Sequence, residues 1–345
     1  MKKRFTLAAL TVLVLILTIN ANAKIRRVGY FGTPVTNTDY TDLQSAHDAA
    51  AAGDTIFVYP GSWNATYSKK LITIGYGYFV DTSTLHKQAN AGLQNITASL
   101  QIYIVLAAGS NNSVFEGLDG FNLNSDGSGA TYSGIIVRRC NGYVDLSQNN
   151  SYSGWQILQC YLSALYLNYN SPGTTISNLT VSNCYISGIA GSNVRNTNGG
   201  QFINNVLEYA EFNNGTYLVK NNIILGSHSN DFNCVYQNNV YSTDWGTISG
   251  TGNVGVDYNT TMLNSVFVGY GTQGSFSNDA RWTLKAGSPA KSAGSGGSEC
   301  GMFGGTNPYK LSGIPRVPSF YKLTSSSTTA STNPYTVTFS VRSNN

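Results

Sequence analysis

The sequence predicts an all-β protein: a single-stranded right-handed parallel β-helix, or β-solenoid, with an N-terminal capping helix. Three observations predict this fold. Only 10% of the 345 residues are charged while 12% are aromatic, a composition that disfavours both disorder and long solvated helices. A short segment recurs six times without internal gaps. A helix-forming stretch stands directly before the first predicted strand of the domain.

Residues 1–23 have the features of a secretory signal peptide. They open with three basic residues, continue as an apolar run to about Ile19 and end in the small-residue cleavage site Ala21-Asn22-Ala23. We expect the mature chain to begin at Lys24, to be secreted or held at the cell surface, and to keep no transmembrane span after cleavage. An uncleaved membrane anchor is the alternative.

The apparent basic charge belongs mainly to this leader. The whole chain has 20 Lys and Arg against 16 Asp and Glu, and three of the basic residues fall in the leader, so the mature net charge is about +1. The sequence has no basic stripe and no Gly-rich phosphate loop. We therefore expect neither nucleic acid nor nucleotide as a partner.

Residues 24–38 form a lead-in, and residues 39–323 form the parallel β-helix domain. A capping helix is predicted at about 41–52, because Thr41 can cap its start and Gly53 can stop it. Its apolar face is Leu43, Ala46, His47 and Ala50. A helix of this size suits the end of a solenoid, where exposed strand edges would otherwise aggregate.

The repeat sets the fold. Its fourth position falls at residues 140, 160, 184, 205, 222 and 239, and steps of 17 to 24 residues are too short for a propeller blade or a helical repeat. They suit one turn of a solenoid. The first and sixth positions are almost all apolar and are predicted to line the core.

The fourth position holds Cys140, Cys160, Cys184, Asn205, Asn222 and Asn239. Asn at a tight turn can bond the backbone and stack on the amide of the next coil. The five cysteines are an odd number, and we favour buried free thiols. The alternative is a Cys160–Cys140 or Cys160–Cys184 disulfide, since stacked coils lie within disulfide reach. No metal site is expected.

The stretch from Leu43 to Trp63, with its Gly-Asp-Thr-Ile-Phe-Val-Tyr-Pro-Gly core, resembles the opening of secreted bacterial right-handed parallel β-helix proteins of the pectate-lyase-like superfamily. Segments 115–123, 285–290, 301–305 and 314–321 resemble an early coil and the closing module of such proteins. The resemblance covers roughly residues 40–321. It implies the fold but not one activity, because lyases, hydrolases, esterases and non-catalytic surface proteins share it.

The catalytic motifs of these enzymes are missing from the sequence. It has no Asp-Asp or His-Gly dipeptide, as in polygalacturonases, and no Arg-x-Pro-x-x-Arg motif, as in pectate lyases. The Gly-Glu-Val-Lys and Gln-Asp-Thr types of motif are also absent. No catalytic residue is therefore carried over from the resemblance.

Weaker candidates come from charged residues within the repeats. A cation beside a base could neutralise a uronate and abstract a sugar proton. The candidates are Arg139, Glu208, Lys220, His228 and Asp231. The alternative interpretation is that these isolated charges keep the solenoid surface soluble.

Aromatic residues crowd the same repeats in larger number than a narrow core needs. Tyr and Trp pair an apolar ring face with a polar tip, which suits sugars. The candidate glycan contacts are Tyr143, Trp155, Tyr166 and Tyr209. Stacking of rings between coils is an equally good explanation.

Residues 324–345 are predicted to be a Ser/Thr linker and a C-terminal strand that docks on the solenoid, or else an attachment tail. For function, the favoured hypothesis is a monomeric protein that binds an extracellular or cell-envelope polysaccharide without catalysis or cofactor. The alternative is a polysaccharide lyase or glycoside hydrolase acting on an acidic polysaccharide, with calcium to consider if it is a lyase.

Overall fold

The computed structural model describes residues 23–29, 34–80, 100–167, 173–190, 197–212, 215–228, 233–257, 263–269, 276–325 and 337–342. Residues 1–22 of the predicted signal peptide lie outside this part of the chain. Among the described residues, no helix is long and apolar enough to cross a membrane.

Two parallel sheets wind around one core, which confirms the predicted right-handed parallel β-helix. Sheet 1 joins thirteen described strands: β1 (Ile25–Val28), β2 (Asp39–Tyr40), β3 (Thr55–Val58), β5 (Ile72–Ile74), β7 (Val114–Glu116), β9 (Thr131–Ser133), β10 (Ile136–Arg138), β12 (Ser151–Ser153), β13 (Gln156–Leu158), β15 (Thr175–Ser182), β17 (Thr197–Ile203), β19 (Tyr217–Lys220) and β21 (Val235–Gln237).

Sheet 2 joins ten described strands: β4 (Gly61–Tyr67), β6 (Leu100–Leu106), β8 (Phe121–Ser125), β11 (Asn141–Leu146), β14 (Tyr161–Leu167), β16 (Tyr185–Ala190), β18 (Val206–Ala210), β20 (Ile223–Ile224), β22 (Val240–Ser242) and β23 (Val254–Val256). Each coil runs from a strand of sheet 1 through a tight turn into a strand of sheet 2. Every strand therefore pairs with the coils before and after it, which satisfies the backbone without helices.

The apolar columns of the repeat face inward, as predicted. The first position is at most 3% exposed in all six repeats: Val137, Ile157, Val181, Phe202, Val219 and Tyr236. In the sixth position Leu162, Ile186, Leu207, Ile224 and Tyr241 are also buried. Alternate residues of a strand point to opposite faces, so the residues between them are left for the outer surface.

The predicted capping helix is present but shorter than expected. Helix α1 spans Leu43–Ala49 and packs on the first coil, with Leu43, Ala46 and His47 buried. Its N-cap is Asp42 rather than Thr41: the Asp42 side chain accepts a hydrogen bond from the backbone N–H of Ser45 at 2.8 Å. Residues 39–40 belong to β2, because they pair with β1.

The solenoid starts earlier than predicted, inside the segment taken as a lead-in. Strand β1 pairs in parallel with β3 over four residues and with β2. Arg27 forms an ion pair with Asp39 at 2.6 Å across the β1–β2 edge. Residues 25–28 are therefore part of the first coil.

Each turn from sheet 1 to sheet 2 uses two residues with different roles. The first adopts the left-handed conformation, with φ between 53° and 57° at Arg139, Gln159, Asn183, Asn204, Asn221 and Asn238. Asn adopts this region more readily than other non-glycine residues. The second is the Cys or Asn of the fourth repeat position, here named the turn column: Cys140, Cys160, Cys184, Asn205, Asn222, Asn239 and, one coil further, Asn253.

The Asn part of the turn column forms the predicted amide ladder. Asn222 Oδ1 accepts from the backbone N–H of Asn205 at 2.8 Å and from its Nδ2 at 2.9 Å. Asn222 Nδ2 donates to the Phe202 carbonyl at 2.8 Å and to Asn239 Oδ1 at 3.1 Å. Asn205, Asn222 and Asn239 are fully buried. Each hydrogen bond of their side-chain amides therefore replaces a hydrogen bond to water that was lost on burial.

The Cys part follows the same path with sulfur. The backbone N–H of Cys140 lies 3.5 Å from Cys160 Sγ, and that of Cys160 lies 3.3 Å from Cys184 Sγ. Four cysteines are buried free thiols in this structure: Cys140, Cys160, Cys184 and Cys300.

A C-terminal strap, residues 294–316, runs back along the turns in the opposite direction to the coils. The left-handed turn residues hold it by their side chains. Asn221 Oδ1 accepts from Ser295 N (2.9 Å), and Asn183 Nδ2 donates to the Gly304 carbonyl (2.7 Å). Further along, Gln159 Nε2 donates to the Pro308 carbonyl at 2.6 Å.

The chain between the last coil and the strap covers a second apolar cluster beside sheet 2. Its centre is a ring stack in which Tyr161 and Tyr185 lie 4.2 Å apart and Tyr185 and Trp282 lie 5.0 Å apart. This part of the chain has short helical turns: α2 (Leu263–Val266) and 3-10 turns at Ala280–Trp282, Pro289–Lys291, Ser295–Gly297 and Leu311–Gly313, while a further 3-10 turn, Thr243–Trp245, follows β22.

The C-terminal strand is present, but its partner differs from the prediction. Strand β25 (Val337–Arg342) pairs antiparallel with β24 (Ser319–Ser325) in a separate two-stranded sheet. The boundary placed at 323/324 therefore falls inside a strand.

Candidate functional site

The four predicted catalytic residues that the structure describes lie on different parts of the coils. Arg139 is 2% exposed, at a turn under the strap, where its guanidinium donates to Gln159 Oε1 at 2.8 Å and to the Ile314 carbonyl at 2.7 Å. Burial lowers the pKa of Arg139 to about 10. This is a correction: Arg139 attaches the strap and does not face solvent, where a polysaccharide would bind.

Lys220 and His228 lie on different elements, and His228 pairs with Ala210, two residues after Glu208. Lys220 is on β19 of sheet 1, between Ile203 and Gln237 of the neighbouring coils. His228 is 8% exposed, with its ring 5.8 Å from that of Tyr241, and burial lowers its pKa. It is therefore a second correction, since it packs against the core. Asp231 lies outside the described residues.

Glu208 is the predicted catalytic residue that lies on the outer face of sheet 2. It is half-buried on β18, and its Oε2 accepts a hydrogen bond from Ser187 Oγ at 2.6 Å. The next residue, Tyr209, is 54% exposed.

Trp155 is a correction among the aromatic candidates. It is 2% exposed, its Nε1 donates to the Tyr132 carbonyl at 2.9 Å, and its ring meets Tyr152 edge-on at 5.6 Å. Tyr152, Tyr185 and Tyr217 are also buried. Much of the apparent aromatic excess therefore fills the core and the second apolar cluster.

The remaining aromatic candidates do meet on one surface. Along the outer face of sheet 2, register places Tyr103 beside Asn122, Asn122 beside Tyr143, and Tyr143 beside Ala164. Leu165 pairs with Ile189 and Gly188 with Tyr209, so the same line continues through Gly188 to Tyr209. We name this line the tyrosine row: Tyr103, Asn122, Tyr143, Ala164, Gly188 and Tyr209.

Coil spacing sets the geometry of the row. Coils stack about 4.8 Å apart, so Tyr103 and Tyr143 stand about 10 Å apart along the axis, and Tyr143 and Tyr209 about 14 Å. Small residues separate the second pair. At Gly188 a β-carbon would have its nearest neighbour, the Ser163 carbonyl oxygen, at 4.0 Å, so the floor between the two rings is open.

Polar contacts hold the first part of the row in place. The Tyr103 hydroxyl donates to Asn124 Oδ1 at 2.9 Å, and Asn124 Nδ2 donates to Asp145 Oδ2 at 3.1 Å. The Tyr143 ring meets Tyr166 edge-on at 6.0 Å. Burial raises the pKa of Tyr143, against a lowering contribution from its hydrogen bond to Asn124, so its hydroxyl stays protonated at neutral pH.

A shallow pocket of about 310 Å³ adjoins the row at Tyr103 and Asn122. Its other lining residues are Ser62, Trp63, Asn64, Gln101 and Ile102. Trp63 Nε1 is bonded to the Tyr59 carbonyl at 2.9 Å, which holds the indole. Hydroxyl and amide groups at a pocket with an aromatic wall can contact a sugar hydroxyl and a sugar ring together.

The two sheets differ in charge. The ten strands of sheet 2 contain no Lys and no Arg, and their acidic residues are Asp145 and Glu208. Sheet 1 carries Arg26, Arg27, Arg138 and Lys220. Within the ranges that the structure describes, no group of three or more His, Cys, Asp or Glu residues is placed to hold a metal ion.

Sequence reasoning missed Tyr103 and the amides beside it. Strand β6 has clear alternation of buried and exposed residues, but it stands outside the six aligned repeats. Strands β6 and β11 do not pair with each other; both pair with β8, so the alignment of Tyr103 with Tyr143 depends on two strand pairings. The β11–β14 pair also contains a bulge between Gly142 and Tyr143. No pattern in the sequence marks that shift.

No protein-family model matches the chain, and no curated protein matches it. Among solved structures, the crystal structure of pectate lyase Pel9A is similar, with 13% identity, 86% of this chain and 98% of that chain covered, and a TM-score of 0.39. At this identity and TM-score the activity of the present chain has to be judged from its own residues.

Proposed function

We propose that the protein binds an uncharged, hydroxyl-rich polysaccharide along the tyrosine row and does not cleave it. The observation that carries the proposal is one face, six coils long, on which Tyr rings and side-chain amides lie on strands that contain no Lys or Arg. Tyr103 is 41% exposed and Tyr209 54%, and Tyr209 is one of the four glycan contacts predicted from the sequence.

The rings and amides suit sugars for separate reasons. A Tyr ring offers an apolar face to the C–H groups of a sugar and a hydroxyl to its oxygens. Asn122 brings a donor and an acceptor, while Asn124 accepts from the Tyr103 hydroxyl and holds it in place. Because Tyr103 and Asn124 are already bonded to each other, the surface is ordered before a ligand binds, which lowers the entropic cost of binding.

The charge of sheet 2 favours an uncharged ligand over a polyuronate. A uronate chain carries one carboxylate per residue and would meet Asp145 and Glu208 with no Lys or Arg on the ten strands to offset them. Like charges in partly buried positions repel, and the repulsion is weakly screened. The expectation of an acidic substrate, raised for the enzyme alternative, is therefore the less favoured one.

The spacing of the two carboxylates argues against glycoside hydrolysis. Asp145 lies on β11 and Glu208 on β18, three coils later, which separates them by about 14 Å along the axis. Paired carboxylates of glycosidases lie about 5 to 9.5 Å apart. A lyase would need a cation near its base to neutralise the uronate, and the strands of sheet 2 supply none.

The proposal is tested with the chain from Lys24 to Asn345 on insoluble and soluble glycans: uncharged glucans, mannans and xylans beside polygalacturonate and alginate, with and without calcium. We expect retention on one or more uncharged glycans and no new reducing ends or unsaturated uronate. Tyr143→Ala and Tyr209→Ala should each weaken binding about five- to tenfold, the loss of one aromatic contact.

Trp245→Ala is the matched control, since Trp245 is also 54% exposed but lies in the short turn after β22. Equal losses of glycan binding in all three variants would show that exposed aromatic residues adsorb to the glycan non-specifically. Binding to polyuronates that depends on Tyr143 would keep the site and overturn the uncharged class. Cleavage of any glycan would favour the lyase or hydrolase alternative, and no binding to the panel would count against the proposal.

A further inference from the structure

The first coil contains a buried carboxylate that contacts the start of the predicted mature chain. Asp54 is 3% exposed, and its Oδ1 accepts a hydrogen bond from the backbone nitrogen of Lys24 at 2.8 Å. Its Oδ2 accepts from the backbone N–H of Ala51 at 2.9 Å and from Arg26 Nη2 at 3.2 Å.

This arrangement fixes the nitrogen of Lys24 although the residue itself is exposed. The Lys24 carbonyl accepts from Thr55 N at 2.9 Å, so the residue is bonded on both sides of its Cα to the 54–55 segment. Ala23 is exposed as well. The peptide bond between Ala23 and Lys24 therefore lies at the surface, at the end of a well-bonded strand.

We propose that Asp54 is a binding site for the α-ammonium group of Lys24, formed when a peptidase cleaves the Ala23–Lys24 bond. Hydrolysis of that bond consumes one water and leaves a carboxylate on Ala23 and an ammonium on Lys24. The nitrogen that donated to Asp54 as a neutral amide then donates as a cation. The inference rests on the cleavage site predicted from the sequence and is independent of glycan binding.

The surroundings suit this charge. A hydrogen bond between ionised partners is about twice as strong as a neutral one, and the two further protons of the ammonium can reach water because Lys24 is exposed. Arg26 shares the Asp54 carboxylate but is itself bonded to the Tyr40 hydroxyl at 2.8 Å and the Asn37 carbonyl at 3.2 Å. Asp54 therefore keeps an oxygen for the new cation.

The ionised state of Asp54 is already favoured before cleavage. Burial raises its pKa, but the backbone hydrogen bonds from Lys24 and Ala51 and the nearby Arg26 outweigh this, and the pKa lies below its ordinary value. Cleavage would thus add a cation to an existing anion. A chain that still carries its leader lacks that cation, so the first coil gains its full stability only after processing.

The test begins with the exported protein, whose N-terminus is read by intact mass and terminal sequencing. We expect Lys24. Four chains ending at Asn345 are then compared by thermal unfolding: one starting at Lys24 and one starting at Ala23, each with Asp54 and with Asp54→Asn. The extra residue turns the ammonium of Lys24 back into an amide and leaves its N–H in place.

With Asp54, the chain starting at Lys24 should unfold about 2 to 4 °C higher than the chain starting at Ala23. With Asp54→Asn this difference should vanish, because the coupling partner is gone. Acetylation of the α-amino group of Lys24, with Asp54 intact, should lower the thermal unfolding midpoint by the same amount. This measurement keeps the test valid if Asp54→Asn does not fold.

Equal unfolding midpoints for the free, extended and acetylated N-termini would overturn the proposal. So would an exported chain that begins at another residue. A midpoint difference that persists in Asp54→Asn would show that the extra residue acts by some other contact.

Discussion

The Asn half and the Cys half of the turn column occupy the same place in successive coils, yet they join the coils by different bonds. In the Asn half, each side chain accepts from the coil before it and donates to a backbone carbonyl, both at 2.8 Å for Asn222, which also donates to Asn239 Oδ1 at 3.1 Å. In the Cys half the corresponding N–H groups of Cys140 and Cys160 reach sulfur at 3.5 and 3.3 Å.

The difference shows that volume and burial fix the position, while bonding can vary. A thiol is a weak donor and a weak acceptor and otherwise behaves as a small apolar group. The Asn half should therefore hold the turns mainly by hydrogen bonds and the Cys half mainly by packing. Substitutions in the two halves can break or sharpen this comparison.

The largest effect is expected for Asn222→Leu. The apolar side chain leaves the N–H of Asn205 buried without its partner and removes one bond each from Asn205 Nδ2 and the Phe202 carbonyl. An orphaned buried group costs about 1 to 3 kcal/mol. We expect the free energy of unfolding to fall by about 3 kcal/mol, measured by denaturant titration. An unchanged midpoint would show that the amide ladder does not hold the coils.

Exchanging Asn and Cys within the turn column should lower stability by an intermediate amount. The loss should be larger for Asn to Cys than for Cys to Asn. Asn222→Cys should cost about 1 to 2 kcal/mol, because weak sulfur bonds replace amide bonds. Cys160→Asn should change stability by less than about 1 kcal/mol, since its amide would face the N–H of Cys140 and the carbonyl of Val137, which now lie 3.5 and 3.6 Å from sulfur.

The free energy of unfolding of both variants is measured by the same denaturant titration. Cys160→Ala serves as the control, because it removes side-chain volume without adding an amide. If Cys160→Asn lowers the free energy of unfolding as much as Asn222→Leu, the space around Cys160 is too small for a side-chain amide. The comparison between bonding and packing would then be wrong for this part of the column.

The smallest effect concerns thiol chemistry. Burial raises the pKa of Cys140 and of Cys184, so both stay protonated at neutral and mildly alkaline pH, where only the thiolate reacts. We expect neither to react with a thiol-directed reagent at pH 8 in the native protein and both to react after unfolding, as followed by peptide mass mapping. Rapid native labelling at either residue would show that the Cys half opens to solvent.

Several features of the fold followed from the sequence because they repeat. The apolar first and sixth positions and the fourth-position column recur every coil, and each residue meets its counterpart one coil away. This local rule predicted the burial of residues as far apart as Val137 and Tyr236. It did not mark the left-handed residue before the column, because Arg139 and Gln159 occupy it in two of the coils.

The candidate site could be predicted only in part. Tyr143, Tyr166 and Tyr209 were selected as surface aromatics, but Trp155 was placed with them although it is buried. Strands β9 and β12 lie outside the aligned repeats and add a further short face where Tyr132 and Tyr152 surround Trp155. Composition gives the number of aromatic rings and not their direction.

By itself the sequence determined the solenoid, the columns that fill its core and the chemistry of its turns, because these depend on residues that recur at a nearly constant spacing. The tertiary structure alone decided which tyrosines share one line, which depends on a bulge at Gly142 and Tyr143. It also decided that Arg139 lies under the strap, bonded to Ile314, a residue 175 positions away. Contacts between a repeat and a segment outside it have no period, so no pattern in the chain can announce them.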